Sequence, residues 1–337
     1  MRAMVLETIA PLADSAAPLS LVELPDPVAA ADEILLQVSA CGVCHTEIDE
    51  IEGRTPPPRL PVVPGHEVIG RVVQMGANCH QFKIGDRVGV GWIYHSSGAT
   101  DENLDPDFSA TGRDVNGGYA EYMTVTEPYA YAIPDIFTDV EAAPLLCSGG
   151  VGYRALQLTG LSDGQLLGLT GFGGSAHLVL QTARYLYPSS KIFVFARNAR
   201  ERSFALELGA SWAGDTDDDP PQKLHAIIDT TPAWRPVLAA LRALRPGGRL
   251  VINAIRKEDH ERDLMADISY AEHLWLEKEL KTVANVTARD IREFLAVAAR
   301  IPIRPEVEVY ALEQANEAIH ALHSAHVRGA KVLKIMS

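Results

Sequence analysis

The stretch LLGLTGFGGSAHLVLQTARYL, residues 166–186, decides the fold of the second half of this chain. An apolar run of strand length meets a knot of glycines, and an apolar pattern at helical spacing follows. Within it, Gly171-Phe172-Gly173-Gly174-Ser175-Ala176 fits G-x-G-x-x-(G/A). Between a strand and a helix, such glycines let the backbone approach a pyrophosphate whose charge meets the helix N-terminus. A bare tight βα turn also collects glycines, so the flanks matter. They continue the rhythm: KIFVFAR (191–197) reads as a strand, NARERSFALELGA (198–210) as a helix capped near Gly209, and HAIIDTT (225–231) as a strand. RPVLAALRAL (235–244) and PGGRLVINAI (246–255) extend the alternation. It implies a doubly wound parallel sheet with helices on both faces, a Rossmann arrangement that binds a dinucleotide.

The end of the second strand bears on which dinucleotide. An acidic residue there would bond the ribose 2′-OH of NAD. FVFARNARER (193–202) instead offers Arg197 and Asn198, with no carboxylate before Glu201. A guanidinium forks two N–H bonds onto a phosphate, so NADP is expected over NAD, with a solvated helix start as the bland alternative.

The first ~150 residues keep a different rhythm, with short apolar runs at strand length. RAMVLE (2–7), LSLVEL (19–24), EILLQVSA (33–40) and VIGRVVQMG (68–76) read as strands. RTPPPRLPVVPGHE (54–67) is an extended connection, because proline cannot donate to a ladder. DIREFLAVAAR (290–300) and LEQANEAIHALHSA (312–325) read as amphipathic helices. With 337 residues, two domains are expected. The apolar share of 47% against 22% charged is that of a globular chain, and a net charge of −14 argues against a nucleic-acid partner. No run spans a bilayer, and MRAMVLETIA carries no long apolar h-region, so a cytoplasmic protein without a signal peptide is expected.

CGVCH (41–45) is open to three readings: haem attachment, a redox dithiol, or a metal-binding thiolate. Four cysteines make no disulfide framework, and in a reducing compartment c-type haem attachment loses its setting. His66 and Glu67 follow the proline-rich approach, and Cys147 precedes the nucleotide fold.

GVCHTE (42–47), GHE (65–67), GDRVGV (85–90), GGYAEY (117–122), CSGGVGYRAL (147–156) and GFGG (171–174) occur in this order. Together they resemble the medium-chain zinc-dependent alcohol dehydrogenases, close to the bacterial branch acting on primary alcohols. The resemblance extends through VANVTARDIREFL (283–295), IRPEVEVY (303–310) and RGAKVL (328–333). It implies a GroES-like β-barrel catalytic domain, residues 1–148 with 287–337, around a Rossmann cofactor domain, residues 149–286.

The resemblance also implies roles. Cys44, His66 and Cys147 match three catalytic zinc ligands that leave a fourth position open. Cys41 is then a bystander. Glu67 matches a transient ligand, and Glu47 stands where relatives usually carry the Asp that orients the ligating His. Thr46 matches a proton-relay hydroxyl, and Asp49 replaces the next relay His. Trp92 matches an aromatic that narrows the substrate pocket, while Thr55 replaces a second Trp. His45 and Arg328 match cofactor contacts. Many relatives hold a structural zinc with four cysteines, but WIYHSSGATDENLDPDFSATG (92–112) has none, with Ser97 and Asp105 at the outer positions. The expectation is one zinc per chain, a small alcohol or aldehyde substrate, no membrane partner, and a homodimer or homotetramer. Zinc-free quinone or enone reductases and polyol dehydrogenases share the fold, the latter often with Glu where Cys147 stands. A non-catalytic nucleotide-binding protein is the reading from another class.

Overall fold

The computed structural model describes residues 1–301, 303–324 and 329–336, in two compact units. The first comprises Met1–Gly150, Val286–Ala299 and Arg304–Ser337; the second comprises Val151–Asn285 and Arg300–Ile303.

In the first unit, β1 (Arg2–Leu6) and β2 (Leu19–Glu23) form an antiparallel pair. The main sheet is built on β3 (Glu33–Val43), followed by helix α1 (His45–Ile51) and β4 (Val68–Met75). β5 (Arg87–Val90) continues it; β6 (Ile93–His95) and β7 (Ser109–Ala110) form a side ribbon. β8 (Tyr122–Thr126), β9 (Ala130–Ala132) and the short α2 (Asp139–Ala142) follow, and α3 (Ser148–Thr159) runs on into the second unit.

The second unit carries β10 (Leu166–Thr170), α4 (Gly174–Leu186), β11 (Lys191–Phe195), α5 (Ala199–Glu207) and β12 (Trp212–Gly214). It continues through β13 (Leu224–Asp229), α6 (Arg235–Ala243), β14 (Leu244–Ile252) and β15 (Glu279–Thr282). The chain then returns to the first unit with α7 (Ala288–Ala298), β16 (Val307–Ala311), α8 (Ala315–His323) and β17 (Ala330–Lys334).

Six strands of the second unit pair in parallel in the order β12-β11-β10-β13-β14-β15. This is the doubly wound Rossmann order, whose direction reverses between β10 and β13. Both faces of the sheet are apolar, as the period of two requires of a strand covered on each side. In β11, Ile192 and Val194 join the core under α4 and α5, while Phe193 and Phe195 join the core under α6.

The first unit's larger sheet runs β16-β17-β3-β4-β5-β9, with β8 also on β3. β3 pairs with β4, β8 and β17, and register shifts at Leu35/Leu36 and Val38/Ala40 bend it against β4. Its apolar run extends to Val43, so Cys41 is a fully buried strand residue and Cys44 begins α1. The two halves of CGVCH thus fall on different elements.

The cysteine-free segment 92–112 is fastened by a buried carboxylate. Glu102 accepts the Tyr129 hydroxyl at 2.8 Å and the Ala288 backbone N–H, at the first residue of α7, at 2.6 Å. Ser96 Oγ donates to the Glu102 carbonyl, and Ser97 donates to the Asp105 carboxylate. Among the described residues, no helix is long and apolar enough to cross a membrane. Glu102→Ala leaves a buried amide and a buried phenol unpaired, so it should cost about 2–3 kcal/mol. An unchanged urea-unfolding midpoint would show that the carboxylate is not the fastening.

Candidate metal centre

The turn from β3 into α1 places the first donor. Cys44 is the N-cap, and Glu47, three residues on, closes a capping box by accepting the Cys44 backbone N–H on Oε2 at 2.8 Å. The other oxygen of that carboxylate lies 2.7 Å from His66 Nδ1. One side chain therefore fixes both the helix start and the imidazole, whose Nε2 is left facing the cluster.

His66 and Glu67 arrive from the proline-rich approach just before β4, and Cys147 follows the 3₁₀ turn Ala143–Leu146 at the start of α3. One donor atom each from Cys44, His66, Glu67 and Cys147 lies within 4.8 Å of all the others. The two sulfurs are 3.9 Å apart. His66 Nε2 and Glu67 Oε1 are buried without a hydrogen-bond partner among the described residues. Buried polar atoms ordinarily find partners, so orphaned donors converging on one point fit a cation. Two thiols, an imidazole and a carboxylate form a donor set that suits zinc. Glu67 needs a neighbour without a side chain: a Cβ on Gly42 would sit 1.8 Å from Glu67 Oε2.

Electrostatics point the same way. The hydrogen bond from Cys147 pulls the Cys44 thiol down, while that same bond and burial push Cys147 up. Burial pushes Glu67 well up and raises Glu47. Burial alone would lower His66, but the Glu47 carboxylate and the Cys44 sulfur lift it well above its ordinary value. Crowded anionic donors thus retain protons that a divalent cation would displace. Cys41, by contrast, is held as a thiol by burial.

Around the cluster, the Thr46 hydroxyl lies 3.5 Å from Cys44 Sγ, and the Trp92 ring meets His66 edge to face at 4.8 Å. Asp49 is buried on α1 and bound by Arg54 Nε at 2.6 Å. Thr55 donates its backbone N–H to the Asp49 carbonyl, and His45 is exposed at the helix start.

In the second unit, the glycine turn joins β10 to α4, with Gly171 at φ +74° and Gly173 as N-cap. Phe172 is buried and Ala176 fully so, and Ser175 Oγ is 3.4 Å from Asn253 Nδ2. His177 Nδ1, unremarked in the sequence reading, sits 3.1 Å from the Gly173 carbonyl. The arginines after β11 divide. Arg202 binds the carbonyls of Ala196 and Arg197, and Asn198 caps α5 through Arg200 N–H. Arg197 is exposed. Glu201, half-buried, reaches back to the backbone of Phe172. Arg328 lies outside the described residues.

The family profile of the alcohol dehydrogenase GroES-like domain matches residues 30–135. A Mycobacterium tuberculosis (strain CDC 1551 / Oshkosh) protein named "Probable alcohol dehydrogenase AdhA" is 42% identical, over 94% of this chain and 93% of its own. Among solved structures, an NAD-dependent alcohol dehydrogenase superposes with a TM-score of 0.88 at 21% identity, covering 100% of both chains. CAD from Helicobacter pylori, complexed with NADP(H), does so at 0.84 and 21%, covering 99% of both. At those identities the two structures speak for the fold alone.

Because the raised groups hold protons, zinc binding to chelator-stripped protein should release them, and apparent affinity should climb as pH rises. Calorimetry in buffers of different ionisation enthalpy reads the release; a pH-independent affinity would contradict it.

Proposed function

We propose, because this chain belongs to the medium-chain zinc alcohol dehydrogenase family, that it interconverts small primary alcohols and aldehydes with a nicotinamide dinucleotide. The family makes it an NAD(P)-dependent oxidoreductase of alcohols; the primary-alcohol preference is our reading. The observation that carries it is the convergence of half-buried Cys44 and Cys147 with buried His66 and Glu67, His66 Nε2 being left unpartnered among the described residues. In our reading the first unit is the catalytic domain and the second, with the glycine turn, holds the dinucleotide.

Cys44, His66 and Cys147 would hold zinc, with Glu67 as an exchangeable fourth donor. Bound there, the metal supplies Lewis acidity to the alcohol oxygen. The chain's own residues supply the rest. Glu47 Oε1, 2.7 Å from His66 Nδ1, orients the ring by its charge. Thr46 Oγ1 accepts the hydroxyl proton as hydride passes from the carbinol carbon to the oxidised nicotinamide ring, since a hydroxyl can accept one proton and donate another. Asp49, one helical turn further along α1 and held by Arg54, takes that proton on to solvent. Trp92, packed on His66, narrows the pocket to unbranched chains, and Thr55 leaves room where a second Trp would stand. Gly171 to Ala176 receive the pyrophosphate. Exposed Arg197, beside Asn198, receives a 2′-phosphate, so NADP is the preferred dinucleotide.

We assign one zinc to each chain, because the 92–112 segment is fastened by Glu102 and its Ser97 and Asp105 bond to one another. We further assign a homodimer or homotetramer. Strand β15 is an exposed sheet edge, and Tyr270, Leu274, Trp275, Leu276 and Leu280 stand exposed before or on it. Such an edge beside apolar side chains calls for a partner strand. A cytoplasmic setting would keep Cys44 and Cys147 reduced.

Two measurements test these readings. Steady-state reduction of short and aromatic aldehydes should stop on chelation and return with zinc, and should run faster with NADPH than NADH. Arg197→Asp should reverse that coenzyme ratio, by about tenfold or more; activity that survives chelation would instead indicate a zinc-free reductase. Native mass spectrometry should give two or four chains and one zinc for each, and two zincs per chain would contradict the assignment of a single site.

A further inference from the structure

Apart from the metal cluster, the second unit buries an ion pair that the chemistry above does not use. Asp229, the last residue of β13, is fully buried. Its Oδ1 accepts Thr170 Oγ1 at 2.5 Å, the Thr231 hydroxyl at 2.8 Å and the Thr231 N–H at 3.2 Å. Its Oδ2 takes the Lys257 ammonium. Lys257 spends its other two protons on the carbonyls of Thr231 at 2.7 Å and Ala233 at 3.0 Å. All three donors of the ammonium are used, and its side chain is 9% exposed.

The position of this network gives it meaning. Thr170 is the residue before Gly171, and Thr230 donates both its N–H and its hydroxyl to the Thr170 carbonyl, at 3.1 and 3.0 Å. On the other side of the turn, a Cβ built on Gly171 would lie 2.9 Å from Thr231 Cγ2 and 3.0 Å from Thr230 Oγ1. Thr230 and Thr231 therefore form the wall against which the first glycine packs, and the ion pair clamps that wall from behind. The loop after β14 joins in: Asn253 N–H binds the Asp229 carbonyl at 2.7 Å while its amide reaches Ser175 on α4. The clamp also sits where the strand order reverses, between β10 and β13, and ligands of open α/β sheets bind beyond the strand ends at that point.

We propose that Asp229 and Lys257 are positioning residues for the dinucleotide, holding the Thr230–Thr231 wall so that the glycine turn keeps its pyrophosphate-accepting shape. The proposal rests on the dinucleotide reading above. Each acts through the loop it binds. Losing Lys257 strands a buried carboxylate, which relaxes by swinging out or by pulling in water, and either movement displaces the wall.

Titration of NADPH and NADH fluorescence with the intact zinc-loaded enzyme tests it, comparing wild type with Lys257→Met, Thr231→Val and Leu241→Ala. Lys257→Met should raise both dissociation constants about tenfold or more and raise the coenzyme KM in step. The kcat at saturating coenzyme should stay within about twofold, with zinc content unchanged. Thr231→Val, which deletes one hydrogen bond without stranding a charge, should weaken binding about threefold and decides the matter if Lys257→Met does not fold. Leu241→Ala opens the core under α6, away from the turn; it should lower Tm while leaving the dissociation constants at their wild-type values. The clamp is overturned if Lys257→Met or, should that variant not fold, Thr231→Val binds coenzyme like wild type. It is equally overturned if Leu241→Ala loses affinity in proportion to its loss of Tm. Wild-type enzyme that binds neither coenzyme overturns the dinucleotide reading itself, and the clamp with it.

Discussion

The two oxygens of Glu47 tie the start of α1 to the ring of His66, and the metal-binding geometry depends on that tie. One oxygen takes the Cys44 N–H and so fixes where the first sulfur points; the other lies 2.7 Å from His66 Nδ1 and fixes the ring. A carboxylate buried this completely is costly unless both oxygens are occupied. The cost makes the arrangement specific, because any rotation of the ring or slip of the helix start would leave a charge unpaired.

Buried carboxylates recur as organisers in this chain. Glu102 fastens the segment 92–112 to Tyr129 and the start of α7. Glu127 gathers the backbone N–H groups of His80, Gln81 and Phe82. Asp229 does the corresponding work behind the glycine turn. A net charge of −14 reads from the sequence as a surface property that repels polyanions. Part of the acid content is instead interior hydrogen-bonding capacity, each carboxylate replacing a longer stretch of regular backbone pairing.

The metal cluster and the glycine turn meet opposite electrostatic demands with local means. In the first unit, anionic donors crowd together and hold protons until a cation replaces them. In the second, a helix opens at Gly173 without a side-chain cap, so its N-terminal positive end carries no side-chain acceptor. Arg202 ties down the loop carbonyls of Ala196 and Arg197, while Arg197 itself is exposed.

The sequence alone determined what is periodic or contiguous. The strand–glycine–helix rhythm of 166–186 and its repeats dictated a parallel doubly wound sheet, since alternating apolar runs of those lengths bury themselves in no simpler way. The ordered motifs carried a family resemblance, and that resemblance implied Cys44, His66 and Cys147 as ligands. The tertiary structure decided whatever depends on distance between remote positions. It brought four donors within 4.8 Å of one another, and it sent Cys41 into a strand while Cys44 joined the donor cluster. It also set Glu102 on α7 and closed Lys257 onto Asp229 across 28 residues. Those pairings carry no local pattern: a buried acid and its partner meet only where folded elements bring them, and a Glu or Lys in a sequence reads first as a surface residue.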